Sequence, residues 1–534
     1  MTPHLRRYWP VILLMLAVPL AFAWFTGHAW EDYFITLRTS RNLVEGNGLV
    51  FNSGERVHTF TSPLGVLLPA LCSWLAGASH ESLALWFFRF INAGLLAVAA
   101  LFVCRRSETL GLGRFGRFVF FGLLAADAKL ADFASNGMET GILVFFVLLL
   151  WSELEAPVAP RALPIAIACA GLMWTRPDAF ILGAALMAPH FFLRRRGTTV
   201  RPRPWRPLLR GLLLGAALYL PWFVFAWWYY GSPIPHTIVA KSVITPRFQL
   251  HEFLLLPWRT LIGDSFLTDL FLPTYWYYGG WPSLLHLFGH VLSVAAAFAW
   301  FCPALPGPAR RASLSVFCGM FYVCAIIPFP WYLPPWTALA ALALAFTFDD
   351  LLARARRLSH PSFASVTRVV GSLAVGVQVA VLLAAAWQMR IQQRLVENDG
   401  RREIGRWLHA TAAPGDTVFL EPLGYIGYYS GLKTFDVPGL SSPEVVAAMR
   451  GGAVRFASLI ERLHPTWLVL RPFEIADPRL PENAALRSYR LVRTWNARPR
   501  LDAIAFLPGR AWLEHDSEFR VFRRITGAAQ PAAQ

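Results

Sequence analysis

Long apolar runs alternate with short polar or basic breaks from residue 11 to residue 387, after which the pattern changes to short apolar runs in polar sequence. Val11–Phe25, Leu83–Val103, Phe118–Leu130, Ile142–Trp151, Leu163–Trp174, Phe180–Phe192 and Leu212–Trp227 each read as apolar helices. So do Leu284–Phe301, Leu314–Ile327, Leu333–Phe348 and Val369–Trp387. They predict an α-helical polytopic membrane protein with about eleven transmembrane helices. One further run, Leu64–Ala78, is short and interrupted by Pro69. Counting it as a span would send every later Arg cluster outside, so it reads as an interfacial or re-entrant segment, 64–78.

Beyond about residue 389 the period shortens. Strand-like runs occur at Thr417–Leu420, Trp467–Leu470, Tyr489–Val492 and Phe519–Phe522, with helical Pro443–Met449 and Val454–Leu463 between them. This alternation predicts a small α/β domain over 389–534, following a membrane domain over 1–388.

Composition agrees with the pattern: 56 % of residues are hydrophobic and only 15 % charged. The net charge of +17 sits in short Arg clusters between apolar runs, which fits cytoplasmic loops and argues against a nucleic-acid groove. Arg6-Arg7 before Val11–Phe25, with Ala21-Phe22-Ala23, fits either a cleaved signal or an uncleaved first span; the many later spans favour the second. With the basic N-terminus inside, the first loop 27–63, the loop 228–283 and the C-terminal domain all lie outside. All six cysteines lie in apolar segments, without metal-ligand spacing to histidine.

Under that topology the polar motifs converge on one face: Glu31-Asp32, Asn136–Thr140, Arg176–Asp178 and Tyr229–Lys241. A carboxylate at a membrane edge is costly and marks a functional site. A transferase using a lipid-phosphate sugar needs a carboxylate base, cations for the phosphate leaving group, and access from the bilayer. Glu31 and Asp32 fit the base, or simply end a helix. Arg38 and Arg41 follow at helical spacing, suited to phosphate contact or to ion pairs. Arg176 and Asp178 hold phosphate and sugar, or pair with each other across the turn. Lys241 and His236 read as phosphate or acceptor contacts, or as plain surface. Tyr275-Trp276-Tyr277-Tyr278 offers sugar-stacking faces or an aromatic belt. Gly46-Asn47-Gly48 follows no strand and is not a nucleotide loop. No cofactor is assigned and no metal ligands are named; a divalent cation is compatible with the carboxylates, but no spacing demands one.

Together these motifs resemble the GT-C superfamily of polyprenyl-phosphate-sugar-dependent glycosyltransferases, and within it the terminal arabinofuranosyltransferases of the mycobacterial cell-wall type. The resemblance rests on Glu31-Asp32-Tyr33-Phe34-Ile35, Arg38, Asn42 and Gly46 through Glu55, with Thr61-Ser62-Pro63-Leu64. Asn136-Gly137-Met138-Glu139-Thr140, Thr175-Arg176-Pro177-Asp178 and Tyr230-Gly231-Ser232-Pro233-Ile234-Pro235 with Ala240-Lys241 extend it, and Tyr425–Gly431 and Asp436–Pro443 echo it. Glu31 stands where the family has Asp, His58 at a position often acidic, Gly65 in place of Trp and His236 in place of Asn. The resemblance implies a GT-C fold in a bacterial inner membrane, with an extracytoplasmic site, a polyprenyl-phosphate-linked sugar donor and a cell-envelope glycan or glycoprotein acceptor. It implies Asp32, then Glu31, as the base, and Arg176, Lys241 and Arg38 on the donor phosphate. Glu139, Asp178, Asn136, His58, His236 and Tyr230 are expected around sugar or acceptor. A flippase for lipid-linked sugars would also need polar groups in the membrane, but such proteins show paired halves, and none are visible here. A membrane scaffold for the outer domain leaves the clustered charges without a purpose.

Overall fold

A computed structural model of the chain describes residues 3–77, 79–157, 160–193, 205–245, 249–263, 265–322, 329–475 and 484–525. Ala78, most of the expected basic anchor Arg194–Arg210, Cys324, Pro328 and the end of the expected span to Ile327 lie outside the described residues, as does the tail from residue 526.

Among the described residues, six helices are long and apolar enough to cross a membrane, including Glu81–Thr109 with 29 residues and Trp205–Tyr230 with 26. The other expected spans fall on shorter helices: Arg114–Ala125, Thr140–Leu154, Ala162–Thr175, Phe180–Phe192 and Gly307–Tyr322. The helix after Gly113 stops early because Asp127 starts a new short helix, its carboxylate accepting from the Lys129 N–H (3.0 Å). Leu333–Arg357 is the central helix. Its Ala-rich faces are fully buried against Arg114–Ala125, Gly307–Tyr322 and Pro361–Gln392, since small side chains let helix backbones approach. Trp205–Tyr230 instead exposes Leu213, Leu220 and Trp227, the lipid-facing pattern.

The first loop folds as a helix, Glu31–Val44, that buries Tyr33, Phe34, Ile35 and Leu37. Asn42 ties its end to the following turn, donating to the Val50 and Phe51 carbonyls (2.8 and 2.9 Å). Leu64–Ala76 packs under it; at 13 residues it is about 20 Å long, too short to cross.

Pro361–Gln392 runs without a break through the π-helical turns Gln393–Arg402 into Glu403–Thr411, so residue 389 falls inside one continuous helix. Five strands follow: β1 (Thr417–Leu420), β2 (Lys433–Asp436), β3 (Trp467–Leu470), β4 (Tyr489–Asn496) and β5 (Glu518–Arg524). Their order is β2-β1-β3-β5-β4, with β1 parallel to β2 and β3, and β5 antiparallel to β3 and β4. β2 was not expected, because its sequence reads as polar. Its Asp436 is buried and spent on the next turn, accepting from the Ser441 N–H and hydroxyl (2.9 and 2.7 Å). Ile35 and Phe51 of the first loop enter the same core as Ile404, Val418 and Trp467, so the sheet domain and the loop form one packed body.

Candidate active site

The loop helix starts at a fixed corner. The Trp30 N–H donates to the Asn136 carbonyl (2.8 Å), and Arg89 donates to the carbonyls of His28 (2.7 Å) and Ser135 (2.6 Å). Gly137, at φ +100°, is required here, since a Cβ would fall 2.2 Å from the Tyr33 ring. Glu31 and Asp32 therefore occupy the first turn of Glu31–Val44, where the helix end favours carboxylates.

The two acids then diverge. Glu31 accepts from the Gly424 and Tyr425 N–H groups (3.4 Å to the second), capping the helix Leu423–Ser430, with Arg401 Nη1 3.5 Å away. Burial pushes its carboxyl up to about 8, against the pull of Arg401. Asp32 makes no hydrogen bond or ion pair with a described residue and lines a cavity of about 480 Å³ between the membrane helices and the sheet domain. Lys241 lines it too, from the helix His236–Ile244, its Nζ 4.9 Å from the Phe329 ring centre and equally without an ion pair. Burial raises the Asp32 carboxyl above its ordinary value and Lys241 opposes that rise; burial lowers the Lys241 ammonium and Asp32 opposes that fall.

Aromatic rings wall the cavity. Tyr275 stacks on Trp512 (3.8 Å) and faces Trp30 (6.0 Å), joining three distant parts of the chain. Its backbone is left-handed (φ 52°), a strain of about 1–3 kcal/mol of the kind held at functional sites. The sheet domain adds a charged floor. Arg401 bonds Glu397 (2.9 Å) and Asp516 (2.6 Å); Arg471 bonds Asp516 (2.8 Å) and Glu421 (2.7 Å). Burial would raise Asp516, but Arg401 and Arg471 hold it below the ordinary range. Sequence reasoning missed this floor. Glu397 and Arg401 stand at i,i+4, a spacing that reads as an ordinary surface pair.

Arg176, Asp178 and Glu139 form a second cluster beside the cavity. Arg176 grips Asp178 through Nε (3.1 Å) and Nη2 (3.3 Å), and Nη2 also donates to the Tyr332 hydroxyl (2.6 Å). The Tyr322 hydroxyl donates to the Asp178 Oδ2 that Arg176 Nη2 also contacts, and Glu139 lies 3.8 Å from Arg176 Nη1. Asp178, expected at the sugar or acceptor, is here bonded to Arg176 and Tyr322. The charge of Arg176 acts on both Asp32 and Lys241.

The remaining expected residues do not line the cavity. Arg38, expected on phosphate, donates to the carbonyls of Gly427 (2.7 Å) and Leu432 (3.0 Å) and covers the Phe51 ring (4.2 Å). His58 is buried and stacked on Tyr230 (4.4 Å), and burial pushes it down to about 3. The Tyr230 hydroxyl donates to the Leu49 carbonyl (2.7 Å) and the His236 N–H to that of His58 (2.9 Å), so all three brace the loop. Asn136 is fully buried and acts through its carbonyl on Trp30. Among the described residues, no group of three or more His, Cys, Asp or Glu could hold a metal ion.

ArnT from Cupriavidus metallidurans, solved bound to undecaprenyl phosphate, superposes on 99 % of this chain and 99 % of its own, with a TM-score of 0.50 and 13 % identity. The chain has the GT-C fold. In sequence, this GT-C chain is 35 % identical over 254 residues to a terminal β-(1→2)-arabinofuranosyltransferase of Corynebacterium glutamicum, covering 41 % of this chain. It is 30 % identical over 242 residues to the protein of that description from Mycobacterium tuberculosis, covering 43 % of this chain. The matches span 34 % and 38 % of those two relatives, so the chain aligns with little more than a third of their length. Residues 386–522 match a family described as a domain of unknown function (DUF8728).

Proposed function

We propose that this GT-C chain transfers a sugar, read as arabinofuranose, from a polyprenyl phosphate to an extracytoplasmic glycan or glycoprotein, with Asp32 as general base. The observation that carries this reading is that Asp32 and Lys241, neither paired with a described residue, share an aromatic-walled cavity. Asp32 takes the proton of the acceptor hydroxyl as its oxygen attacks the anomeric carbon, and the bond from that carbon to the phosphate oxygen breaks. Lys241, and the Nη1 of Arg176, which faces Glu139 at 3.8 Å without a short bond, stabilise the departing polyprenyl phosphate. The names of the two relatives support the sugar, and the lipid held by ArnT supports the donor class. In this reading the chain sits in a bacterial inner membrane with the cavity and residues 389–534 on the periplasmic side.

The test uses purified protein in nanodiscs, radiolabelled polyprenyl-phosphate arabinofuranose and a panel of glycan acceptors. Asp32→Asn leaves the fold intact, since Asp32 has no partner to lose, and lowers transfer by about 10²–10⁴-fold. Glu31→Gln keeps an oxygen for the Gly424 N–H and loses far less. Loss in Glu31→Gln alone moves the base to Glu31. No transfer to any acceptor, with label crossing a liposome membrane instead, overturns the transferase reading.

A further inference from the structure

A second cavity of about 480 Å³ lies at the far end of the helix Glu81–Thr109. Glu81 sits against the sheet domain, accepting from the Tyr429 hydroxyl, and the helix then runs about 36 Å before reaching Arg105 and Arg106. This groove is therefore remote from Asp32 and opens at the opposite end of the bundle.

Three helices build it: the end of Glu81–Thr109, the end of Thr140–Leu154 and the start of Ala162–Thr175. One wall is apolar, formed by Phe102, Phe145, Leu149 and Ile167, with the two rings 6.2 Å apart. Leu163 and Ile167 remain 62 % and 43 % exposed, so this wall opens sideways to the hydrocarbon.

The polar wall carries net positive charge. Glu153, the one acid among the described lining residues, is held by Arg161 at 2.6 and 3.2 Å. The guanidiniums of Arg105 and Arg106 make no hydrogen bond or ion pair with a described residue, and Arg106 Nε is buried without a partner. A buried guanidinium N–H left unbonded is costly, and a phosphate oxygen is its natural acceptor. Two free guanidiniums beside a lipid-facing apolar slot complement a molecule with an anionic head and a hydrocarbon tail. A zwitterionic head would place its own cation beside those two.

We propose that this groove binds an anionic glycerophospholipid of the adjacent leaflet, its phosphate on Arg105 and Arg106 and one acyl chain along Phe102, Phe145 and Ile167. The lipid ties the ends of three helices together. The site is independent of the transferase reading.

The experiment is titration of delipidated full-length protein with phosphatidylglycerol or phosphatidylcholine, read by native mass spectrometry and by thermal unfolding. Wild type is expected to retain one phosphatidylglycerol through detergent washing and to be stabilised by it over phosphatidylcholine. Arg105→Gln should weaken that binding about fivefold, and Arg105→Gln with Arg106→Gln about thirtyfold. If the double variant does not fold, the single change at exposed Arg105 decides. Equal binding of the two lipids, unchanged affinity in Arg105→Gln, or full stabilisation by inorganic phosphate alone each overturn the proposal.

Discussion

Gly424 lies where the sheet domain presses hardest on the first loop. A Cβ there would fall 1.9 Å from the Glu31 carbonyl oxygen and 3.0 Å from its Cδ, so Gly424→Ala must open the contact by about 1 Å. Two stability effects oppose each other. Alanine gains about 1 kcal/mol of helix propensity in Leu423–Ser430, and overpacking costs about 1–3 kcal/mol. The close atoms are backbone, so overpacking outweighs the gain, and the protein should fold with its melting temperature a few degrees below wild type. The activity should not survive as well. Moving the Glu31 backbone carries Asp32 with it, and a displacement of about 1 Å at a reacting group costs about a hundredfold in rate. Gly427→Ala is the control. It lies in the same helix, but its Cβ meets the Phe51 ring at 3.2 Å, Leu423 Cδ1 at 3.4 Å and Thr434 Cγ2 at 3.5 Å, side chains that can yield. It should gain the propensity and keep the rate. The assay is the initial rate of label transfer at saturating donor, beside a thermal melt of each variant. Equal rates in Gly424→Ala and Gly427→Ala would refute the claim that the sheet domain positions the base.

The pH dependence and the loop brace give two further expectations. Lys241 holds the Asp32 carboxyl below the level that burial alone would set, so Lys241→Gln should raise it further and move the acid limb of the kcat/KM profile to higher pH. A uniform drop with the limb unmoved would mean that Lys241 acts on the donor phosphate alone. Arg38→Met removes two short bonds to part-buried carbonyls, costing about 2–4 kcal/mol and several degrees of melting temperature, with the rate per folded molecule unchanged. A lost rate at unchanged melting temperature would return Arg38 to the donor site.

The membrane architecture was legible in the chain because hydrophobic period and run length are local properties: a stretch such as Leu212–Trp227 needs no partner to declare itself. Four strands of the sheet domain declared themselves in the same way, whereas Lys433–Asp436 did not, since its buried Asp436 is neutralised only by the turn that follows. Residue types suited to the chemistry were visible too, and Glu31, Asp32 and Lys241 share one cavity. Their roles were not. Arg38, His58, His236 and Tyr230 match the same motifs as Asp32, yet Arg38 and Tyr230 spend their polar groups on carbonyls of the loop and the sheet domain, and His58 lies stacked on Tyr230 away from the cavity, contacts set by elements far away in sequence. The same distance hid the network of Glu397, Arg401, Arg471 and Asp516, which reaches Glu31 through Arg401 only when the last membrane helix carries the sheet domain back onto the first loop. Sequence alone determined which segments are apolar and which residues could do the chemistry. Tertiary structure decided which of those residues keep an unpaired charge, because pairing and burial are set by neighbours that the local sequence does not contain.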